Sequence, residues 1–301
     1  MKSDFELMNE LAKRSDYLRE LTDDESKALK QALLAMYVDI ARLCEAHNLT
    51  VMLCGGSCLG AIRHKGFIPW DDDLDLLMPR RDYEQLIRLL EQGALGENYE
   101  FNTPNSKTDA KNVFLKIYRR NTLNVDIYSD TPAFPQGIAI DVFALDAVPR
   151  TRFGQYVKGL IANGLQFASI VVLYAQYPSE HLREFMSLDR DMLRRYRFKC
   201  LLGRILGIIP HRKWVWWFDR FVACDRDDRQ WGIPTGRKYY NGEIFPREVY
   251  VPAAEAEFEG MKVHIPNQFD LYLRNLYKDY MQLPPENKRE RHFIIDLQLP
   301  Q

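Results

Sequence analysis

The amino-acid sequence predicts an α+β fold, a mixed sheet flanked by helices with a helical insert or subdomain. Three observations carry that expectation. Helical periodicity opens the chain, short apolar runs ended by glycine or proline then alternate with helical stretches, and the segment 151–224 reads as helix almost throughout. With 301 residues, 46% of them hydrophobic and 28% charged, the chain can bury a core of its own. Disorder, collagen and coiled coil are thereby excluded.

Asp23 or Asp24 opens a helix that runs to about His47, because Leu29, Leu33, Leu34, Met36, Tyr37, Ile40, Leu43 and Cys44 recur at helical spacing; Asn48 closes it. Thr50 to Cys54 is an apolar run that stops at Gly55-Gly56-Ser57, and Cys58 to His64 then gives one or two helical turns. That order is a strand, a glycine turn and a helix N-terminus. Asp71 to Met78 reads as the next strand, ended by Pro79, with a helix from about Asp82 to Gln92 behind it. Val113 to Arg119 and Asn124 to Tyr128 look like two antiparallel strands, and Gly137 to Phe143 like another. The helices of 151–224 are rich in Arg and aromatics and break at Pro178 and Pro210. The tail returns to mixed structure, with a hairpin around Glu259-Gly260 and a short helix from Asn267 to Tyr277.

The formal charge of -1 gives no global field for nucleic acid or an anionic membrane, and nucleic acid is not expected as a partner. The total hides an asymmetry: Arg150 to Cys224 holds 13 Lys and Arg against 5 Asp and Glu, and the rest of the chain 28 against 37. Within the basic segment, Arg194, Arg195, Arg197, Lys199 and Arg204, followed by Trp214, Trp216 and Trp217, could lie against anionic lipid headgroups; a solvated helical subdomain with inward tryptophans is the alternative. The longest apolar stretch, Leu160 to Ala175, is interrupted by polar residues and falls short of the roughly 20 residues that span a bilayer. Five dispersed cysteines without metal-site spacing read as reduced core thiols. The N-terminus lacks the pattern of a signal peptide, so a cytoplasmic location is expected.

The chemistry concentrates in three places. Gly55-Gly56-Ser57 sits where a strand feeds a helix, so backbone can approach a phosphate there, although a structural turn would use the same residues. Asp71, Asp73 and Asp75 are spaced by two, which in a strand puts three carboxylates on one face. Such repulsion is tolerable near water or around a divalent cation. The apolar flanks Ile68-Pro69-Trp70 and Leu76-Leu77-Met78 carry this strand into a core and favour the cation. An EF-hand reading fails, since Leu76 stands where the loop needs glycine and Asp82 where it needs a bidentate Glu. Asp141, alone among branched and aromatic residues in Ile140-Asp141-Val142-Phe143, needs a cation or strong donors.

Together these features resemble the nucleotidyltransferase fold and, more closely, the LicD family of LicD/fukutin-type transferases. The string Cys54-Gly55-Gly56-Ser57-Cys58-Leu59-Gly60-Ala61-Ile62-Arg63-His64-Lys65-Gly66-Phe67-Ile68-Pro69-Trp70-Asp71-Asp72-Asp73-Leu74-Asp75-Leu76 carries the likeness. Arg81-Asp82-Tyr83, Ile140-Asp141-Val142-Phe143, Phe258-Glu259-Gly260 and Tyr277-Lys278-Asp279-Tyr280-Met281 with Pro284-Pro285 extend it. Two departures stand out: Ser57 where the family more often has Thr, and Lys278 where it has Gly.

The likeness runs from about residue 35 to 298, with little from 151–237, and the chain is expected to divide into a nucleotidyltransferase-like catalytic core over 1–150, a basic helical insert or subdomain over 151–237 and a C-terminal mixed segment, 238–301, packing back on the core. The resemblance implies transfer of a phospho-alcohol group such as phosphocholine from a CDP-alcohol donor to a glycan or glycolipid acceptor. Asp71, Asp73, Asp75 and Asp141 would hold Mg²⁺ or Mn²⁺, with Asp73, Asp75 and Asp141 catalytic and Asp141 the general base. Gly55, Gly56, Ser57, Arg63, Lys65 and Lys116 would bind phosphate, and Trp70 could face a choline-like cation. Nucleotidyl transfer from an NTP uses the same triad, and a non-catalytic metal-binding module is a further alternative.

Overall fold

The computed structural model describes residues 4–105, 110–226, 229–289 and 291–300. The chain enters through α1 (Asp4–Ala12), an element the periodicity alone does not single out, and then α2 (Asp23–Ala46). Thr22 caps α2. Its hydroxyl accepts from the Glu25 N–H while the Glu25 carboxylate accepts from the Thr22 N–H, which satisfies two otherwise orphaned donors. Leu29, Leu33, Met36, Tyr37, Ile40 and Cys44 form the buried face of the helix.

That face covers a mixed sheet in the spatial order β1 (Met52–Leu53), β2 (Asp75–Pro79), β6 (Ala139–Ala147), β4 (Leu115–Arg119), β3 (Tyr99–Asn102). The fold is therefore α+β. β2 and β6 run parallel and the other neighbours antiparallel. Helix α3 (Gly55–Arg63) follows β1 directly, and α4 (Arg80–Glu91) follows β2.

Two strand expectations need correction. β2 starts at Asp75 rather than Asp71, so Asp71 to Leu74 approach the sheet as irregular chain. The spacing argument assumed one regular strand face for three like charges. Instead, the irregular backbone lets Asp71 come up to Gly56 and to Asp73, while Asp75 comes up to Gly55. β5 (Leu123–Asp126) does not pair with β4, because both edges of β4 are already taken by β3 and β6. It pairs with the C-terminal β11 (Ile294–Gln298), which brings the end of the chain back to the sheet.

After β6 come α5 (Arg152–Gln176), α6 (Glu180–Ser187), α7 (Arg190–Leu206) and α8 (His211–Val222). α5 lies between α7 and α8: the Lys158 ammonium donates to the Val222 carbonyl at 3.2 Å, and Gly203 of α7 sits against the Val171 backbone so closely that a Cβ would overlap it. Trp214 and Trp217 are half-buried against each other, edge to face, and only Trp216 is exposed. The chain then adds β7 (Gln230–Gly232) beside β6, a helical turn α9 (Tyr239–Gly242), β8 (Phe245–Pro246), the hairpin β9 (Ala254–Phe258) and β10 (Met261–Ile265), and α10 (Phe269–Tyr277). Glu259 and Gly260 both take positive φ at the hairpin turn.

At the α4 end of β2 and β6 a charged group is buried outright. Arg80 donates to both oxygens of Asp146 at 2.8 and 2.7 Å and to Asp219 of α8 at 2.9 Å. The network ties α8 to the sheet.

Candidate active site

The glycine turn and the acidic loop fit each other. Gly55 has φ +52, a left-handed conformation natural to glycine, and a Cβ there would lie 3.3 Å from an Asp75 carboxylate oxygen. At Gly56 a Cβ would lie 2.8 Å from an Asp71 carboxylate oxygen. Both carboxylates therefore crowd the start of α3, where the helix dipole favours negative charge. Ser57 is buried, and its hydroxyl accepts from the Asp75 N–H at 2.9 Å, holding β2 at its first residue.

On the sheet, register does the positioning. Asp75 is level with Asp141 on the parallel neighbour, and Asp141 is level with Lys116 on the antiparallel one. The Lys116 ammonium reaches an Asp141 oxygen at 2.9 Å. Burial, then the charges of Asp73, Asp141 and Asp71, push the Asp75 carboxyl well above the usual carboxylate range, against a small opposing pull from Lys116. Burial works against the charge of Lys116, but Asp141, with Tyr118 and Asp126 behind it, outweighs that and raises it.

His292 completes the cluster. It stands just before β11, and its Nδ1 contacts the Asp72 carboxylate. Ligand atoms of Asp71, Asp73 and His292 lie within 4.8 Å of one another. Burial opposes the charge of His292, and the hydrogen bond and charge of Asp72, then Asp73 and Asp71, hold it well above the ordinary imidazole range. Carboxylate oxygens, with the His292 imidazole once a cation displaces its proton, form a donor set for a hard divalent cation such as Mg²⁺ or Mn²⁺. Crowded like charges, one of them driven toward protonation, fit the same group.

Two cavities meet at this cluster. The larger, about 720 Å³, runs past Gly55, Gly56, Arg63, Trp70, Asp71 and Asp75 to Arg237, Tyr277 and Lys288. The smaller, about 460 Å³, is lined by Lys111, Lys116, Asp126, Tyr128, Asp141 and Arg291. Asp73 and His292 belong to both walls. In the smaller one, burial brings Lys111 down to about 8, although Asp126 opposes it.

The structure thus brings Asp71, Asp73 and Asp75 to the larger cavity, with Gly55, Gly56 and Arg63 beside them, and Asp141 and Lys116 to the smaller, the two groups meeting at Asp73. Lys65 is not among them: it is exposed at a positive-φ position, its carbonyl accepts from the Glu259 N–H, and its side chain lines neither cavity. Trp70 lines the larger cavity, but Arg289 stacks over its ring at 4.3 Å, where a choline-like cation would have to sit. His292 and Arg237 escape the sequence reading because neither lies in a local pattern. The one usable signal was Asp72, an acidic residue that strand alternation left without a purpose.

A mixed sheet with carboxylates level on adjacent strands, a glycine turn above them and a helix N-terminus behind is the arrangement expected of a nucleotidyltransferase-like core. Residues 48–141 match the family model described as LicD/FKTN/FKRP, nucleotidyltransferase domain, a match that runs from the turn before β1 to Asp141. Over these residues the chain is similar to the LicD family. It is 27% identical over 260 residues, 84% of its own length and 89% of the relative's, to the lipopolysaccharide cholinephosphotransferase LicD of Haemophilus influenzae. Shorter similarities link it to an uncharacterised protein of Rickettsia typhi, 37% identical over 23% of this chain and 21% of that one, and to one of Rickettsia prowazekii, 36% identical over 20% and 23%.

Proposed function

We propose that this protein is a Mg²⁺- or Mn²⁺-dependent transferase that moves a phospho-alcohol group, phosphocholine in the first instance, from a CDP-alcohol donor to a hydroxyl of a cell-surface glycan or glycolipid precursor. It would act in the cytoplasm, at the inner face of the membrane. The name of the Haemophilus influenzae relative supports phosphocholine as the group and lipopolysaccharide as the acceptor.

One observation carries the reading. The acidic cluster stands at the junction of two cavities, as a two-substrate transfer requires and a metal-stabilised binding module does not. The larger cavity suits the nucleotide, since Arg63, Arg237 and Lys288 can meet a diphosphate and Gly56 stands at its wall in the first turn of α3, although the Gly55 N–H is already donated to the Tyr272 hydroxyl. The smaller suits the acceptor, whose hydroxyl would lie beside Asp141.

In this reading Asp71, Asp73, Asp75 and Asp141, with His292, would hold the divalent cation, which would supply neutralising charge for the diphosphate and the leaving CMP. Lys116 orients the Asp141 carboxylate through their ion pair. The acceptor oxygen forms its bond to phosphorus as the bond to CMP breaks, and its proton passes to Asp141. Holding both substrates in line is the larger part of the work.

The test is incubation with CDP-choline, CDP-ethanolamine, CDP-glycerol and CDP-ribitol in Mg²⁺ or Mn²⁺, with lipopolysaccharide as acceptor, while CMP is measured. CMP release from one donor is expected. Pyrophosphate release from an NTP with no CMP from any CDP-alcohol would replace this reading by nucleotidyl transfer.

A further inference from the structure

The apolar run Leu160 to Ala175 is too short to span a bilayer by itself, but the helix α5 that contains it extends over 25 residues and by length and composition could cross one; 33% of its most apolar window is buried within the protein. Its inner side is committed to polar contacts with the body, through Lys158 to the Val222 carbonyl and through the Asn163 side chain to the Tyr240 N–H, so it does not stand alone as a span. Its outer side is different. Phe153 (78% exposed), Tyr156, Leu160 (63%), Ile161 and Phe167 recur at helical spacing as a solvent-facing apolar stripe four turns long.

The same stripe continues to Val171 and Tyr174, and there α7 covers it, with Gly203 against Val171 and Tyr196 against Tyr174. On α7, Phe198, Leu201, Ile205 and, just past its end, Ile208 (88% exposed) lie on the side opposite Gly203. α7 therefore rests on the outer face of α5 and turns its own apolar face outward in the same direction. The result is a stepped apolar surface larger than isolated exposed side chains produce.

Charge selects the occupant. α5 carries no Asp or Glu, and α7 carries one, Asp191 in its first turn, against Arg190, Arg194, Arg195, Arg197, Lys199 and Arg204. Arg194, Arg197 and Arg204 are exposed among the apolar residues of α7. A second copy of this chain docking about a two-fold axis would set that arginine row against itself. We infer that the outer faces of α5 and α7 form a docking surface for an anionic lipid bilayer, with the aromatic and aliphatic side chains in the acyl boundary and the arginines among headgroup phosphates. The helices lie in the membrane surface rather than across it. The tryptophan-bearing helix α8 sits on the inner side of α5 and takes no part. The surface stands apart from the transfer reaction, so vesicle binding reads it without any substrate.

The experiment is flotation of the full-length chain with vesicles of phosphatidylcholine alone and with 30% phosphatidylglycerol, at low salt and at 0.5 M NaCl, alongside size-exclusion light scattering. Binding to the anionic vesicles is expected, with at least about a tenfold loss for Leu160→Glu with Leu201→Glu and about a hundredfold loss for Arg194→Glu, Arg197→Glu and Arg204→Glu together. Phe153→Tyr should change little. The circular dichroism of each variant should match the parent, since all these positions are exposed. Absence of flotation with the anionic vesicles overturns the inference. So does binding that is indifferent to the arginines, and so does a dimer abolished by Leu160→Glu in a chain that ignores vesicles, which would make a second copy the partner.

Discussion

The two ends of the β2–β6 strand pair hold carboxylates under opposite terms, fully buried at one end and half-buried at the other. At the α4 end Asp146 and Asp219 share Arg80, and Asp146 also accepts from the Cys224 N–H, so each charge has a fixed partner in a closed space. At the other end Asp71, Asp73, Asp75 and Asp141 face two cavities, with Lys116 and His292 as the basic groups among them. Both ends use a lone acidic residue in an apolar strand. What separates a structural carboxylate from a site is the balance of charge around it and its access to space, and neither can be seen from the carboxylate alone.

The contrast can be broken most forcefully at the closed end. Arg80→Ala should leave Asp146 and Asp219 buried without their cation and cost about 3–5 kcal/mol of stability. Urea unfolding checks it; a loss below 1 kcal/mol would mean that the network is not structural. At the open end Asp75→Asn should lower kcat/KM on the order of a thousandfold. It should not lower Tm in EDTA, because it removes a carboxylate that its like-charged neighbours disfavour. Mg²⁺ should raise the Tm of the parent and leave that of the variant unmoved.

Glu243 offers an intermediate case on the wall of the larger cavity. Burial pushes it up to about 7, against Lys238 and Arg237. A carboxyl raised on folding contributes most below its ordinary value near 4.5, and that contribution is lost as pH rises to about 7. Glu243→Gln should therefore match the parent at pH 4 and exceed it by about 1–3 kcal/mol above pH 7. Parallel stability curves from denaturant melts across this range would refute it. The smallest effect is expected at Lys278, which closes α10 with φ 61 and ψ -115, a conformation suited to glycine. Lys278→Gly should stabilise the fold by about 1 kcal/mol, read by the same melts, unless the side chain is needed in the cavity it lines.

Much of the site was legible because its residues are close in the chain. Gly55, Gly56, Asp71, Asp73 and Asp75 fall within one continuous string, and their spacing narrows the chemistry even where the strand begins four residues later than expected. Asp141 was found by the cost of burying a charge. The same argument would have selected Asp146, five residues on in the same strand, and would have been wrong there, because Arg80 and Asp219 arrive from other elements. His292 was illegible for the corresponding reason: it meets Asp72 across 220 residues through the pairing of β11 with β5.

The basic segment divides in the same way. Its sequence determined a helical, cationic region and drew attention to tryptophans, two of which pack inward. Which face of α5 stays uncovered depends on where α7 crosses it. By itself the sequence determined local matters, namely periodicity, the glycine turn, the run of carboxylates and the charge of each segment, because these follow from bonds and spacing along the chain. The tertiary structure alone decided which carboxylates are neutralised, that two cavities meet at the acidic cluster, and which apolar side chains face outward. Those depend on packing between elements far apart in sequence, where the energy of a buried charge or an exposed apolar surface is set by neighbours that local pattern does not name.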